Sequence, residues 1–99
     1  MLKYIKEYGV TNSDYDYIES NLPKDIIDIM VLSENNVREI LDYYNSIGLS
    51  ESVAKIIIKR PDLIIIEKSV LEELISKIDI KTFVNIVKSS IDDLIILGI

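Results

Sequence analysis

Lys55, Lys59, Arg60 and Lys68 are the side chains whose type and spacing could do chemistry in this sequence, and that chemistry is phosphate binding. Lys55 and Lys59 are four residues apart, so on a helix they share a face, and Arg60 follows at once. Residues 50–60 carry these three cations against Glu51, a local charge of +2 in a chain whose net charge is −6. Such a patch would suit DNA or RNA, yet an acidic chain is repelled by a phosphate backbone. A plainer reading competes with it. Glu51, Lys55 and Lys59 also fit a solvated face with one i, i+4 ion pair, worth about 0.3–0.5 kcal/mol. Arg60 then sits where a helix C-terminus favours a cation.

Other chemistries lack their residues. The sequence has no Cys and no His. That removes disulfides, thiolate nucleophiles, the commonest zinc ligand and the usual general base. The acidic pairs Glu72-Glu73 and Asp92-Asp93 belong to no ligand-spaced set, and no phosphate-binding glycine loop or nucleophile elbow is present. Asp92 and Asp93 fit the first turn of a helix, and Glu72 fits a capping box with Ser69. The chain therefore reads as non-catalytic, with no cofactor, no metal and no small-molecule substrate. Six Tyr against one Phe are unusual. Exposed, they would furnish a binding face; half-buried at helix edges, they would keep their hydroxyls in water.

The elements that must position these residues are helical. Hydrophobic residues make up 48% of 99 residues, enough for one packed domain spanning 1–99. No apolar run approaches the ~18 residues of a membrane span. The first eight residues are too polar for a secretory signal, so the expected protein is soluble and cytoplasmic. Leu2 to Tyr8 predicts a helical lead-in stopped by Gly9. Thr11 caps a helix through Ile18 to Leu22, which ends at Pro23. After Pro23, residues 25–30 continue as a helix. Ser33 is expected to cap the next one, whose stripe is Val37, Ile40, Leu41 and Tyr44. Gly48 ends that helix, and Ser50 is expected to cap a central helix with Val53, Ala54, Ile56, Ile57 and Ile58 over more than half its circumference. Pro61 breaks it, and Asp62 to Ile66 reads as a short helical turn rather than a strand. Ser69 to Glu72 reads as a capping box opening a helix that carries Val70, Leu71, Leu74 and Ile78. A last helix is expected from about Thr82 through Phe83, Val84, Ile86 and Val87. Ser90 to Asp93 restarts the chain into Leu94–Leu97.

This punctuation recurs. Tyr8-Gly9-Val10-Thr11, Ile47-Gly48-Leu49-Ser50 and Leu97-Gly98-Ile99 share an apolar-Gly-apolar frame. Pro23 follows Gly9 by 14 residues and Pro61 follows Gly48 by 13. Asp25-Ile26-Ile27, Asp62-Leu63-Ile64 and Asp93-Leu94-Ile95 recur after each break. Tyr44 to Ser50, followed by Val53, Ile56, Ile57, Arg60-Pro61 and Leu63-Ile64, resembles the repeat of the mitochondrial transcription termination factor family. The match is best across residues 37–78. The resemblance implies an α-helical solenoid with two longer helices and one short helix per repeat, and nucleic acid bound along a basic concave face. This chain is acidic and holds fewer repeats, so the fold transfers better than the function.

The expected fold is all-α, a short solenoid-like stack of about two and a half helix-helix-short-helix units. Stacked repeats bury one continuous core and close with a polar cap. Here Leu94, Ile95, Ile96, Leu97 and Ile99 instead end the sequence as an apolar turn. They are expected either to fold back or to meet a partner or second subunit. The function this favours is a small binding module for a protein partner or for itself. The alternative is nucleic-acid binding through Lys55, Lys59, Arg60 and Lys68.

Overall fold

Each apolar stripe in this sequence is cut short by a glycine, a proline or a polar turn, so the chain can only build short helices. The computed structural model describes residues Met1–Ile99 and contains no strand. Its helices are α1 (Asn12–Asn21), α2 (Lys24–Leu32), α3 (Glu34–Ser46), α4 (Val53–Lys59), α5 (Asp62–Ile65), α6 (Lys68–Ile78) and α7 (Ile80–Ser90). Three 3₁₀ segments, Lys3–Tyr8, Ser50–Ser52 and Ile91–Leu97, complete the path. The body measures 33 × 24 × 23 Å.

The core forms around α3 and α4. Val37, Ile40, Leu41 and Tyr44 are all fully buried on one face of α3, which packs on α2, α5, α6 and the first 3₁₀ segment. Val53, Ile56 and Ile57 of α4 are buried and Ala54 and Ile58 half-buried, because α1, α5 and the last 3₁₀ segment cover this helix from different sides. The break at Gly48 is a Schellman motif. Leu49 N–H donates to the Tyr44 carbonyl at 2.9 Å and Gly48 N–H to that of Asn45 at 3.2 Å. Gly48 adopts φ +91°, which a side chain would strain. Residues 62–65 are helical, as expected, with Leu63 and Ile64 buried.

Capping departs from local expectation. Thr11 Oγ1 does accept from Asp14 N–H at 3.1 Å. Ser33 lies at the α2–α3 junction without a side-chain cap bond. Ser50 opens a 3₁₀ turn ahead of α4 and likewise makes no cap. The Ser69–Glu72 box does not form, because α6 already starts at Lys68. Its cap comes from across the fold: Asn36 of α3 accepts from Lys68 N–H at 3.3 Å and donates to the Ile66 carbonyl at 2.8 Å. Leu71 and Ile75, four residues apart on one face, are the buried residues of α6, and Val70 turns outward. Helix α7 begins at Ile80, two residues before Thr82. Asp79 reverses the chain with φ +82° and ψ +134°, a region that suits glycine.

Two tyrosines tie helix ends into the core. Tyr4 O–H donates to the Met30 carbonyl at 2.6 Å and Tyr44 O–H to the Leu63 carbonyl at 2.7 Å, both buried. Each acceptor lies in a last helical turn, where no intrahelical N–H is available. The half-buried arrangement with hydroxyls in water therefore does not hold for this pair. Tyr44 also stacks on Phe83, ring centroids 6.2 Å apart.

Two outcomes follow from this packing. Asp79→Gly should raise stability by about 1 kcal/mol in denaturant unfolding, since relieving a left-handed non-glycine backbone outweighs the exposed 3.4 Å bond from Thr82 Oγ1 to Asp79 Oδ2 that it removes. Burial, with help from Glu34, pushes the Tyr4 hydroxyl up from 10.0 to about 12. Its stabilising contribution is thus complete below pH 10, where the unfolded side chain is also neutral, and is lost as pH rises through about 12. Tyr4→Phe should lower stability by about 1–3 kcal/mol at neutral pH, by orphaning the Met30 carbonyl. It should also flatten the fall above pH 10 when unfolding is followed by circular dichroism.

Candidate functional site

Pro61 decides the geometry of the basic stretch. It closes α4, turns the chain into α5 and brings Asp62 back towards Arg60. The Arg60 guanidinium donates from Nε to Asp62 Oδ1 at 3.1 Å and from Nη2 to Oδ2 at 2.9 Å. The same Nη2 donates to the Ile99 carbonyl. Its side chain is only 18% exposed. The hydrogen bonds to Asp62 hold the guanidinium still further above its ordinary value, with Asp92 adding to the acidic surroundings. Arg60 is thus a clasp between α5 and the last 3₁₀ segment.

The other cations are spread out. Lys55 is half-buried, and its Nζ donates to the Lys88 carbonyl of α7 at 3.4 Å instead of pairing with Glu51. Lys68 pairs with Glu72 at 3.9 Å. It opens α6, which packs on α3 and α7, whereas α4 packs on α1, α5 and the last 3₁₀ segment. Lys59 is exposed and has no ion-pair or hydrogen-bond partner. Lys55, Lys59 and Arg60 therefore share one short region, Lys68 stands apart, and Lys59 is the one of the four with no hydrogen-bond or ion-pair partner.

The segment Ile91–Leu97 separates two kinds of apolar residue. A 3₁₀ helix has three residues per turn, so Ile91 and Leu94 fall on the same side and both are buried. Leu94 is therefore core rather than contact surface. Ile99 is half-buried against the same core. Ile95 and Ile96 face outward at 74% and 78% exposure, and Leu97 is exposed beside them. The Arg60 clasp at Ile99 and a second Schellman turn at Gly98 hold this segment down.

Sequence reasoning did not single out Arg38. Its guanidinium donates to Glu34 at 2.8 Å and grips Glu7 through two bonds of 3.1 and 3.0 Å. It also lies 5.2 Å from the centroid of the Tyr4 ring. Its hydrogen bonds hold the Glu7 carboxyl below the usual range. The Glu34–Arg38 spacing was a visible signal, but Glu7 is 31 residues away.

The surface has two open clefts. One of about 600 Å³ is bordered by Ser33, Asn36, Glu39, Glu67, Lys68 and Glu72, with Ile65 as its only apolar wall. The other, about 510 Å³, is bordered by Gly48, Glu51, Ser52 and Lys88. No group of three acidic side chains is placed to hold a metal ion, and no helix is long and apolar enough to cross a membrane.

Arg60→Gln should loosen residues 91–99 while leaving the remainder folded. Amide hydrogen exchange at Gly98 and Ile99, whose N–H groups bond to Ile95 and Leu94, should accelerate. Lys59→Gln, which removes no contact, should leave those rates unchanged. Equal rates in both variants would show that Arg60 is not a clasp. Comparison of the chain with protein-family models, curated proteins and solved structures finds no match.

Proposed function

We propose that this chain is a small, non-catalytic helical-repeat module that binds a protein partner or a second copy of itself. The observation that carries the reading is the outward pair Ile95 and Ile96, 74% and 78% exposed, on a segment pinned by buried Ile91 and Leu94. Two adjacent isoleucines held in water by a clasped backbone are poorly used by an isolated domain. They offer a preorganised contact whose ordering entropy is already spent.

The repeat part of the proposal rests on where the backbone turns. Gly9, Gly48 and Asp79 all have positive φ, at intervals of 39 and 31 residues. Each separates the first two pieces of a three-piece run. The runs are Lys3–Tyr8 with α1 and α2, α3 with α4 and α5, and α6 with α7 and Ile91–Leu97. Tyr4 and Tyr44 make comparable bonds, each from the first piece of a run to a carbonyl of its third. Gly98, where the sequence frame had pointed, also has positive φ and closes the third run, and Asp79 is a corner within that run that the frame did not mark. Only the middle run, α3 with α4 and α5, ends in a markedly shorter helix, and that helix falls within residues 37–78, the part that resembles the mitochondrial termination factor repeat.

Nucleic-acid binding is less well supported. Lys55, Arg60 and Lys68 are already engaged by a carbonyl or a carboxylate. Polyanion affinity rests on several cations acting together.

Replacing both Ile95 and Ile96 by Asp should abolish self-association or partner capture without loss of helix content, since neither side chain is in the core. Sedimentation equilibrium and pull-down with the two forms read this directly. A monomer at high micromolar concentration that captures nothing the double variant misses would sink the proposal. A gel shift at low salt, lost in a Lys55→Glu, Lys59→Glu variant, would replace it with the nucleic-acid reading.

A further inference from the structure

Helix α2 has apolar residues on two sides, and only one of them is used. Ile26, Ile27, Met30 and Val31 turn inward, with Met30 fully buried. Asp25, Asp28, Ile29 and Leu32 are exposed at i, i+3, i+4 and i+7, the spacing by which an amphipathic helix meets a neighbour. Leu32 is 85% exposed. The next residue, Ser33, lines the cleft of about 600 Å³ between α3 and the start of α6.

Charge identifies what this face fits. Asp25, Asp28, Glu39 and Glu67 surround the exposed apolar pair or border the cleft, and none takes part in an ion pair. Asp25 only accepts from the Ile26 N–H at its own helix start. Lys24 in the first turn of α2 is one cation on this side, and Lys68, which borders the cleft, lies 3.9 Å from Glu72. A partner that covers Ile29 and Leu32 and extends into the cleft is therefore favoured if it brings positive charge to these four exposed carboxylates.

We infer that the outer face of α2, with the adjoining cleft, is a docking surface for a basic amphipathic segment of a partner protein. Its apolar side chains lie against Ile29 and Leu32, and its Lys or Arg residues reach Asp25, Asp28, Glu39 and Glu67. This surface is distinct from Ile95 and Ile96 and stands or falls separately from the function proposed above.

The test uses the whole chain, isotope-labelled for NMR, and a short helical peptide with leucines on one face flanked by Lys and Arg. Two control peptides carry Ser for Leu, or Glu for the cations. Backbone shifts on adding the basic peptide should concentrate at Asp25–Leu32, Asn36, Glu39 and residues 67–72. Leu32→Ser should weaken binding about tenfold, with helix content unchanged because the side chain is exposed. Glu39→Lys with Glu67→Lys should weaken it too and flatten its salt dependence. Ile95→Asp with Ile96→Asp should leave it unchanged, which separates this surface from the other. No binding, equal binding of the leucine-free peptide, or shifts spread over all acidic residues would overturn the inference. So would concentration-dependent shifts at this face without peptide, which would name a second copy as the occupant.

Discussion

Unsatisfied helix ends are the constraint on which this fold depends. A helix leaves up to four N–H and four C=O groups without intrahelical partners at its two ends. With seven helices in 99 residues, one of them only four residues long, a large share of the backbone lies in terminal turns. Water can satisfy the outer ends, but those meeting in the core need protein partners. The buried bonds from Tyr4 to Met30 and from Tyr44 to Leu63 meet that need. Asn36 meets it at the α5–α6 junction and Arg60 at Ile99. These four side chains hold together what helix propensity alone would leave loose. An interior composed only of Ile and Leu could not do so, because it offers no donor to a carbonyl.

The same constraint explains what was legible in the sequence. Glycine and proline act on their own backbone, so Gly9, Gly48, Gly98, Pro23 and Pro61 marked breaks that the structure contains. The α3 stripe was legible because all four of its residues face one dense core. Serine caps were not, because a hydroxyl at the right spacing is only one candidate for an orphan N–H. At the start of α6 the Asn36 amide, 32 residues away, takes that place. Asp79 was invisible for a different reason. Its backbone region is one that sequence rules reserve for glycine, so nothing pointed to a sharp corner there. The basic stretch was legible as a run of residue types but not as a site. Whether Arg60 is free depends on Asp62 and on Ile99, and only the second of these contacts lies far away in the sequence.

Electrostatics and packing divide the surface between them. Arginine is used to join segments: Arg38 and Arg60, the only two in the chain, each hold two acceptors on separate segments. A planar fork suits that task better than an ammonium group does. With both arginines committed to the fold, the outer surface is left to lysines and a larger number of carboxylates. The net charge of −6 is thus expressed mainly outside, around a few exposed isoleucines and leucines. A surface of this kind selects partners by repulsion as much as by attraction.

The tyrosine bonds also bear on the order of folding. Tyr4 reaches Met30 across 26 residues, and Tyr44 reaches Leu63 across 19. Neither closure waits for the far half of the chain, and the entropy of closing loops of these lengths differs little. The two closures, residues 4–30 and 44–63, also do not overlap. The first third and the middle of the chain can each settle around its own phenol. The last helices, which have no such tyrosine, then gain Phe83 against the Tyr44 ring as their point of attachment.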